Sequence, residues 1–385
     1  MKIVHLCLSA FFIDNYSYQE NMLPKYHVKQ GHEVTVIASL MSFDERGRAS
    51  FLDKPSSYFD SNGFKVVRLA YKKPEKWNRL FRHYVGLKDA LIDAEPDVIF
   101  MHCSSFGDTP IVRWYLNNHP QTLLYADNHA DYINSASNWL SKHILHKIVW
   151  RYYTKVVEPY MIKYWGVTPM RCRFVQEMYG VNPNIVDYLP LGVDDDLIPK
   201  DREAIIDKVR SELGILKTDF VIVSGGKIGK PKNIHILIES LREIDNPKIH
   251  LILCGVLNPE MEYLKESFDN NKRIHYLGWC NAERVMECMI ASNLACFPGT
   301  HSTLWEQAVG VGIPSIFKRW PEMEHVNVNG NCVFVKGEDK GELIKVITNL
   351  TTDEEEYNRM NKFAKEASRN FLYSEIAKKA IGINI

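Results

Sequence analysis

The sequence predicts an α/β protein made of two doubly wound parallel-sheet domains in series. Three observations lead there. Short apolar runs alternate with amphipathic stretches along the chain, the pattern of strands joined by helical crossovers. The 385 residues exceed what one core usually serves. The alternation pauses in a charged stretch that opens with Pro190–Asp196 (PLGVDDD), then restarts.

Taken in order, Lys2–Ser9 is a compact apolar strand. A helical stretch, Gln19–Lys29, stops at Gly31, and Glu33–Ala38 (EVTVIA) is β-branched and strand-like. This β-α-β unit implies a right-handed crossover in a parallel sheet. Strand Phe64–Leu69, helix Trp77–Ala94, strand Asp97–Met101, helix Pro110–Asn118 and strand Thr122–Tyr125 follow. A long helical segment spans about Trp139–Tyr164, and Tyr164–Val167 and Ile185–Tyr188 close the first half. Pro190 to about Glu212 reads as a connection. The second half has strands at Phe220–Ser224, Ile249–Cys254, Ile274–Leu277, Leu294–Phe297, Pro314–Phe317 and Cys332–Val335. Its helices are Asn233–Glu243, Pro259–Phe268, Ala282–Ala291 and Leu304–Val311, and Gly341–Leu350, Asp353–Arg369 and Tyr373–Ile381 read as helical. The expected domains are 1–195, with 371–385 returning to it, and 196–370.

The 47 Lys and Arg balance the 47 Asp and Glu. No global field gathers nucleic acid or an anionic membrane, so a phosphate-bearing partner needs a local site. Cys7, Cys103, Cys172, Cys254, Cys280, Cys288, Cys296 and Cys332 form no CxxC pair. They read as buried free thiols in a reducing cytosol. Met1–Ala10 lacks a cleavage pattern and reads as a strand, not a signal peptide. No window reaches the roughly 18–20 apolar residues of a membrane span.

Phe297–Pro314 (FPGTHSTLWEQAVGVGIP) is the most informative stretch. A strand end, a small-residue turn and a helix start follow one another, with Ser302 or Thr303 as the N-cap. Unpaired backbone N–H groups and the helix dipole make such a turn an anion site. A carboxylate just inside that helix repels phosphate, so Glu306 suits neutral hydroxyls such as those of a ribose. An ordinary strand–helix turn has the same composition. Ser224–Lys232 (SGGKIGKPK) adds Gly225 and Gly226, which allow close backbone approach, and Lys227 and Lys232, which can reach phosphates. Neither the Walker spacing nor GxGxxG occurs, and a solvated basic turn remains the bland alternative. Both turns fall at the carboxyl ends of strands, where open α/β sheets bind ligands.

Tyr125–Tyr132 (YADNHADY) puts Asp127, Asn128, His129 and Asp131 after a strand, as a helix cap or a reactive turn. Asp194–Asp196 resembles a metal-binding DxD, but its place in a connection favours a helix cap. Trp77, Leu80, Phe81 and Tyr84 share a helical stripe with Lys76, Arg79 and Arg82 elsewhere, fit for an anionic membrane surface or for packing on the sheet. Trp139–Tyr164 has the same basic-aromatic character.

Together these residues resemble the family 4-type glycosyltransferases of the GT-B fold, over nearly the whole chain. Gly31–Val36 looks like the GHEVTV that ends the first β-α-β. Thr168-Pro169 and Pro190–Asp194 are similar to the "S-P" and "PNGVD" segments. Gly226-Lys227-Ile228 with Lys232-Asn233 is similar to the "GRL…KG" element that holds the donor diphosphate. Leu277-Gly278 fits the "LG" strand end. Glu306-Gln307-Ala308 with Gly312-Ile313-Pro314 is similar to "EA…GvP", and Phe371–Ser374 to the segment leading the last helix back. The family usually carries a second glutamate eight positions before Glu306, touching the donor sugar. Pro298 stands there, leaving His301 or Thr300 to substitute. Lys227 replaces the commoner arginine, and Asn15–Asn21 replaces a frequent Gly-Gly.

The resemblance implies two Rossmann-like domains facing across a cleft that closes over the substrates. It implies retaining, metal-independent transfer of a hexosyl unit from a nucleotide-diphosphate sugar, without a cofactor. Gly226, Lys227, Lys232, His301, Ser302, Thr303 and Glu306 would bind the donor. Lys227, Lys232 and the N–H groups near Ser302 would stabilise the leaving diphosphate, and His129 would act near the donor sugar and acceptor. The expected acceptor is a glycan or lipid-linked oligosaccharide of bacterial surface polysaccharide synthesis, met in the cytoplasm or at the inner face of the membrane. Its contacts would come from loops including Asn15–Asn21, Phe43–Phe59 and Lys72–Tyr84. Peripheral membrane contact is expected from the aromatic-basic stripes, and nucleic acid is not a partner. A GT-B-type nucleotide-sugar epimerase, or a non-catalytic subunit of a transferase, would share much of this pattern.

Overall fold

The computed structural model describes residues 1–44, 48–269 and 271–383, so part of the Phe43–Phe59 stretch and residues 384–385 lie outside it. The chain forms two compact units, Met1–Pro190 with Tyr373–Ile385, and Leu191–Leu372.

The first unit contains β1 (Lys2–Cys7), β2 (Glu33–Ser39), β3 (Met41–Phe43), β4 (Ala49–Phe51), β5 (Ser56–Phe59), β6 (Lys65–Leu69), β7 (Val98–His102), β8 (Leu123–Asn128), β9 (Met161–Gly166) and β10 (Val186–Tyr188). Eight of these make one sheet in the order β10-β9-β8-β7-β1-β2-β6-β5, parallel except for β5 on β6. Successive strand residues enter opposite layers. Val4, Leu6, Ile99, Met101, Leu124 and Ala126 pack in one layer, and Ile3, Cys7, Val98, Phe100 and Tyr125 in the other. The returning helix Tyr373–Ala380 lays Tyr373, Ile376, Ala377 and Ala380 into the second layer, the spacing of one helical face. Strand order reverses between β1 and β7.

The second unit contains β11 (Phe220–Ile228), β12 (Ile249–Leu257), β13 (Ile274–Tyr276), β14 (Leu294–Phe297), β15 (Ser315–Lys318) and β16 (Cys332–Val335). All are parallel, in the order β13-β12-β11-β14-β15-β16, so the reversal falls between β11 and β14.

Several expected elements are corrected. The helix Trp77–Ala94 is two helices, Glu75–Phe81 and Leu87–Ala94, because Arg82 and Gly86 take left-handed backbone conformations (φ 58° and 80°). Tyr84 therefore leaves the proposed stripe and enters the core, while Trp77 and Leu80 stay exposed. The segment Trp139–Tyr164 is a π-helix, Ser141–Trp150, then an α-helix, Arg151–Val157; a 3₁₀ turn at Pro159 leads into β9. Glu158–Tyr160 is that turn, and Tyr164 is a strand residue. The connection after Pro190 holds a 3₁₀ turn, Asp195–Leu197, and a helix, Arg202–Glu212, capped by Asp201. Pro259–Phe268 is mostly 3₁₀, with an α-helix only over Lys265–Asp269. Strands β3, β4 and β5 were not expected, nor was helix Pro169–Tyr179. The signals for that helix are present: Thr168 accepts a hydrogen bond from the Arg171 N–H at 3.3 Å, Pro169 opens the first turn and Gly180 closes it at φ 66°. All eight cysteines are free and six are buried.

Candidate active site

In the second unit, β11 carries Gly225, Gly226 and Lys227 towards its carboxyl end. The chain then turns through a 3₁₀ stretch, Lys230–Lys232, into helix Ile234–Glu243. Strand β14 ends at Phe297, and Pro298–Thr303 leads into helix Leu304–Val311. Because β11 and β14 are neighbours at the strand-order reversal, the two turns meet, the position where such sheets bind ligands.

Backbone and side chains knit them together. The Thr300 N–H donates to Pro231 O at 2.9 Å. Lys232 Nζ donates to Thr300 O at 2.7 Å and His301 O at 3.1 Å. Asn233, at φ 54°, donates through Nδ2 to Pro298 O at 3.1 Å. A Cβ on Gly299 would lie 2.3 Å from the Lys232 Cα, so the turns touch backbone to backbone. A small cavity between them is lined by Ser224, Gly225, Lys232, Gly299, Thr300 and Ser302. Ser224 Oγ is buried there without a hydrogen-bond partner among the described residues. Burial lowers the Lys232 pKa to about 8. Gly226 approaches Leu304 at the start of the helix, and Lys227 is exposed on β11. Thr303 occupies the N-cap with no side-chain capping bond, and in the first turn the Trp305 N–H donates to Ser302 O at 3.0 Å.

Glu306 is fully buried. His301 Nε2 donates to its Oε1 at 2.8 Å and His325 Nε2 to the same oxygen at 2.9 Å. Burial pushes the carboxyl pKa up, but the two histidines outweigh it and hold it well below the usual range. Oε2 is buried and has no partner among the described residues. Of the two oxygens expected to meet hydroxyls, Oε1 is already engaged and Oε2 is not. His325, nineteen residues beyond Glu306, had no sequence signal.

In the first unit, His129 follows β8. Its Nε2 lies 3.4 Å from Asp127 Oδ2 and 3.9 Å from Glu20 Oε1. Burial lowers the His129 pKa, but Asp127 and Glu20 raise it by more. Asp127 is buried, which raises its pKa, yet His102 and His129 hold it well below the usual carboxylate range. Behind Asp127 runs a buried line of histidines that sequence reading missed. His102 Nδ1 meets Asp127 Oδ2 at 2.9 Å, His5 Nδ1 meets His102 Nε2 at 3.0 Å, His27 Nδ1 meets His5 Nε2 at 3.0 Å, and His27 Nε2 donates to Ala377 O at 2.8 Å. A carbonyl only accepts, so its end of the line sets every tautomer in turn. With neutral His27 and His5, each interior bond has one hydrogen, and His102 Nε2 donates. The Asp127 contact then needs one further proton, which makes the line neutral overall.

Asp194 Oδ1 accepts from the Asp196 N–H at 3.3 Å, the capping role expected of that triplet. Among the described residues, two groups bring metal-binding atom types within 4.8 Å of one another: Glu20, His102 and His129, and His301, Glu306 and His325. Hydrogen bonds already link His301 and His325 to Glu306, and Asp127 stands between His102 and His129.

Residues 205–367 match the family model described as glycosyl transferases group 1. No curated protein matches the chain. Among solved structures, the chain is similar to Anabaena HepE in complex with UDP, at 16% identity and TM-score 0.67 over 98% of each chain. It is similar to sucrose-phosphate synthase from Thermosynechococcus elongatus, at 14% identity and TM-score 0.66 over 98% of this chain and 97% of that one. It also resembles UDP-GlcNAc 2-epimerase from Neisseria meningitidis, at 15% identity and TM-score 0.62 over all of both chains. The chain has the GT-B fold, with two Rossmann-like α/β domains in one polypeptide. Residues 205–367, the part that matches the glycosyl transferases group 1 model, lie within its second unit.

Proposed function

We infer that the protein transfers a hexosyl unit from a nucleotide-diphosphate sugar to a glycan or lipid-linked oligosaccharide, with retention of configuration, as the family 4 type does. The observation that carries this reading is the contact of Lys232 Nζ with the Thr300 and His301 carbonyls, which fixes a cation between two glycine-bearing turns. In this reading Lys232 and Lys227, with the N–H groups at Ser302 and Thr303, take up the charge of the departing diphosphate. Gly226 allows the backbone to approach it. Glu306 Oε2 accepts from the ribose, and His301 stands in for the sugar-contacting glutamate that Pro298 displaces. His129, whose pKa Asp127 and Glu20 raise, serves the transferred sugar and acceptor. No cofactor or metal has a part in these steps.

Among the described residues no helix is long and apolar enough to cross a membrane. The exposed Trp77, Leu80, Trp139, Leu140, Ile144 and Ile148 suit peripheral contact with the inner face of a membrane during surface polysaccharide synthesis in the cytoplasm. Incubation with a panel of nucleotide sugars, with and without lipid-linked and soluble glycans, tests the reading. Nucleoside diphosphate released only when acceptor is present supports transfer. The likeness to an epimerase makes a second outcome concrete: an isomerised nucleotide sugar formed without acceptor.

A further inference from the structure

In the first sheet the strand order reverses between β1 and β7. A ligand of an open α/β sheet binds beyond the carboxyl ends of the strands at that point. Ser9 follows β1 and Ser105 follows β7, and their hydroxyls meet at 2.6 Å. Onto this pair closes Arg82, from the break between helices Glu75–Phe81 and Leu87–Ala94. Its Nη1 donates to Ser9 Oγ at 2.7 Å, Ser105 O at 2.6 Å and Ser105 Oγ at 3.1 Å. The guanidinium also lies 5.7 Å from the Phe11 ring centre and 5.1 Å from that of Trp150.

Arg82 is held firmly but not neutralised. It forms no ion pair among the described residues. The neighbouring carboxylate, Asp108, is committed elsewhere: to Lys72 at 3.0 Å, His83 at 2.8 Å and the Tyr84 N–H at 2.6 Å. Nε and Nη2 make no hydrogen bond to the described residues, and neither is sealed from solvent. To reach this place Arg82 adopts φ 58° and ψ 58°, a conformation costly for a residue with a Cβ. A half-buried, fixed guanidinium with one edge unused matches the two oxygens of a phosphate.

We propose that Arg82 binds a phosphate group of the acceptor through Nε and Nη2, at the strand-order reversal of the first sheet. This rests on the glycosyl-transfer reading and narrows its acceptor to a phosphorylated one. The phosphate belongs either to a prenyl diphosphate carrier or to a soluble phosphorylated sugar.

The test titrates farnesyl diphosphate, glucose 1-phosphate and inorganic pyrophosphate into the full chain carrying Lys232→Ala, which weakens the diphosphate site of the second unit. At least one probe should bind, and adding Arg82→Gln should weaken it about 10- to 100-fold, the loss of a charge-assisted pair. Arg82→Lys keeps the charge without the planar fork, so it should also lose at least about tenfold; this arm stands if the glutamine variant fails to fold. Tighter binding of the prenyl compound identifies a lipid carrier, and tighter binding of the sugar phosphate a soluble acceptor. No binding of any probe, or equal binding with and without Arg82, overturns the proposal. Nucleoside diphosphate binding to the wild-type chain reports on the donor reading separately.

Discussion

Lys232 Nζ lies 2.7 Å from the carbonyl oxygen of Thr300, so a lysine from the turn after β11 is bonded to the backbone of the turn after β14. Burial brings its pKa to about 8, below the ordinary lysine value. The charged form binds the anion, so the empty site holds its charge below about pH 8 and loses it as pH rises through that value. Donor nucleotide affinity should therefore fall between about pH 7 and pH 9.5, with proton uptake on binding at the alkaline end. Titration calorimetry in buffers of different ionisation enthalpy measures both. Lys232→Ala should bind weakly with a flat profile.

Gly299 makes the two turns' contact possible. A Cβ there meets the Lys232 backbone at 2.3 Å, and backbone cannot rotate away. Gly299→Ala should separate the turns, cost about 1–3 kcal/mol of stability in the second unit, and weaken nucleotide binding. A thermal melt beside a nucleotide titration would show it. Unchanged stability and affinity would mean that the turns tolerate separation.

His325 and His301 share Glu306 Oε1 and leave Oε2 without a partner among the described residues. If Oε2 serves the ribose, the histidines position a binding group. His325→Ala should then raise the donor KM about three- to tenfold, with kcat within about twofold, and Glu306→Ala should raise KM further. Steady-state kinetics with varied donor separates the two parameters. A fall confined to kcat would place Glu306 in the chemical step instead.

The histidine line ties acid stability to the returning helix. Burial holds His27 at about 4, while the unfolded chain titrates near the ordinary histidine value of 6.5. Between these values the unfolded state binds more protons, so stability should fall as pH drops from about 6.5 towards 4. Burial holds His5 well below its usual value too, with the same sign. Thermal melts across that range should show the slope. His27→Ala should reduce it while costing about 1–3 kcal/mol at neutral pH, because His5 Nε2 and Ala377 O lose their partner. Limited proteolysis should then cut near Tyr373–Ala380 sooner than in the wild type.

The sheets and the two turns after β11 and β14 were legible because both are local in sequence. Alternation marked the central strands, and Gly225, Gly226, Lys232 and the run to Pro314 marked turns whose residue types carry their own physics. The helix break at Arg82 was not legible, since nothing near it except Gly86 signals a left-handed backbone. Helix Pro169–Tyr179 was legible and overlooked: Thr168, Pro169 and Gly180 are ordinary start and stop residues. Long-range side-chain pairing was out of reach. His5, His27 and His102 lie in apolar or helical surroundings, and only the register of β7 with β8 brings His102 beside Asp127. The link between Glu306 and His325 likewise depends on where the chain returns after β15.

The central claim is that the two knitted turns of the second unit hold a nucleoside diphosphate. Titration calorimetry of UDP, GDP, ADP, CDP and dTDP into the wild-type chain and Lys232→Ala tests it most directly. At least one nucleotide should bind the wild type with one site per chain and bind the variant at least about tenfold more weakly. Binding of none of the five, or equal binding to both proteins, would contradict it.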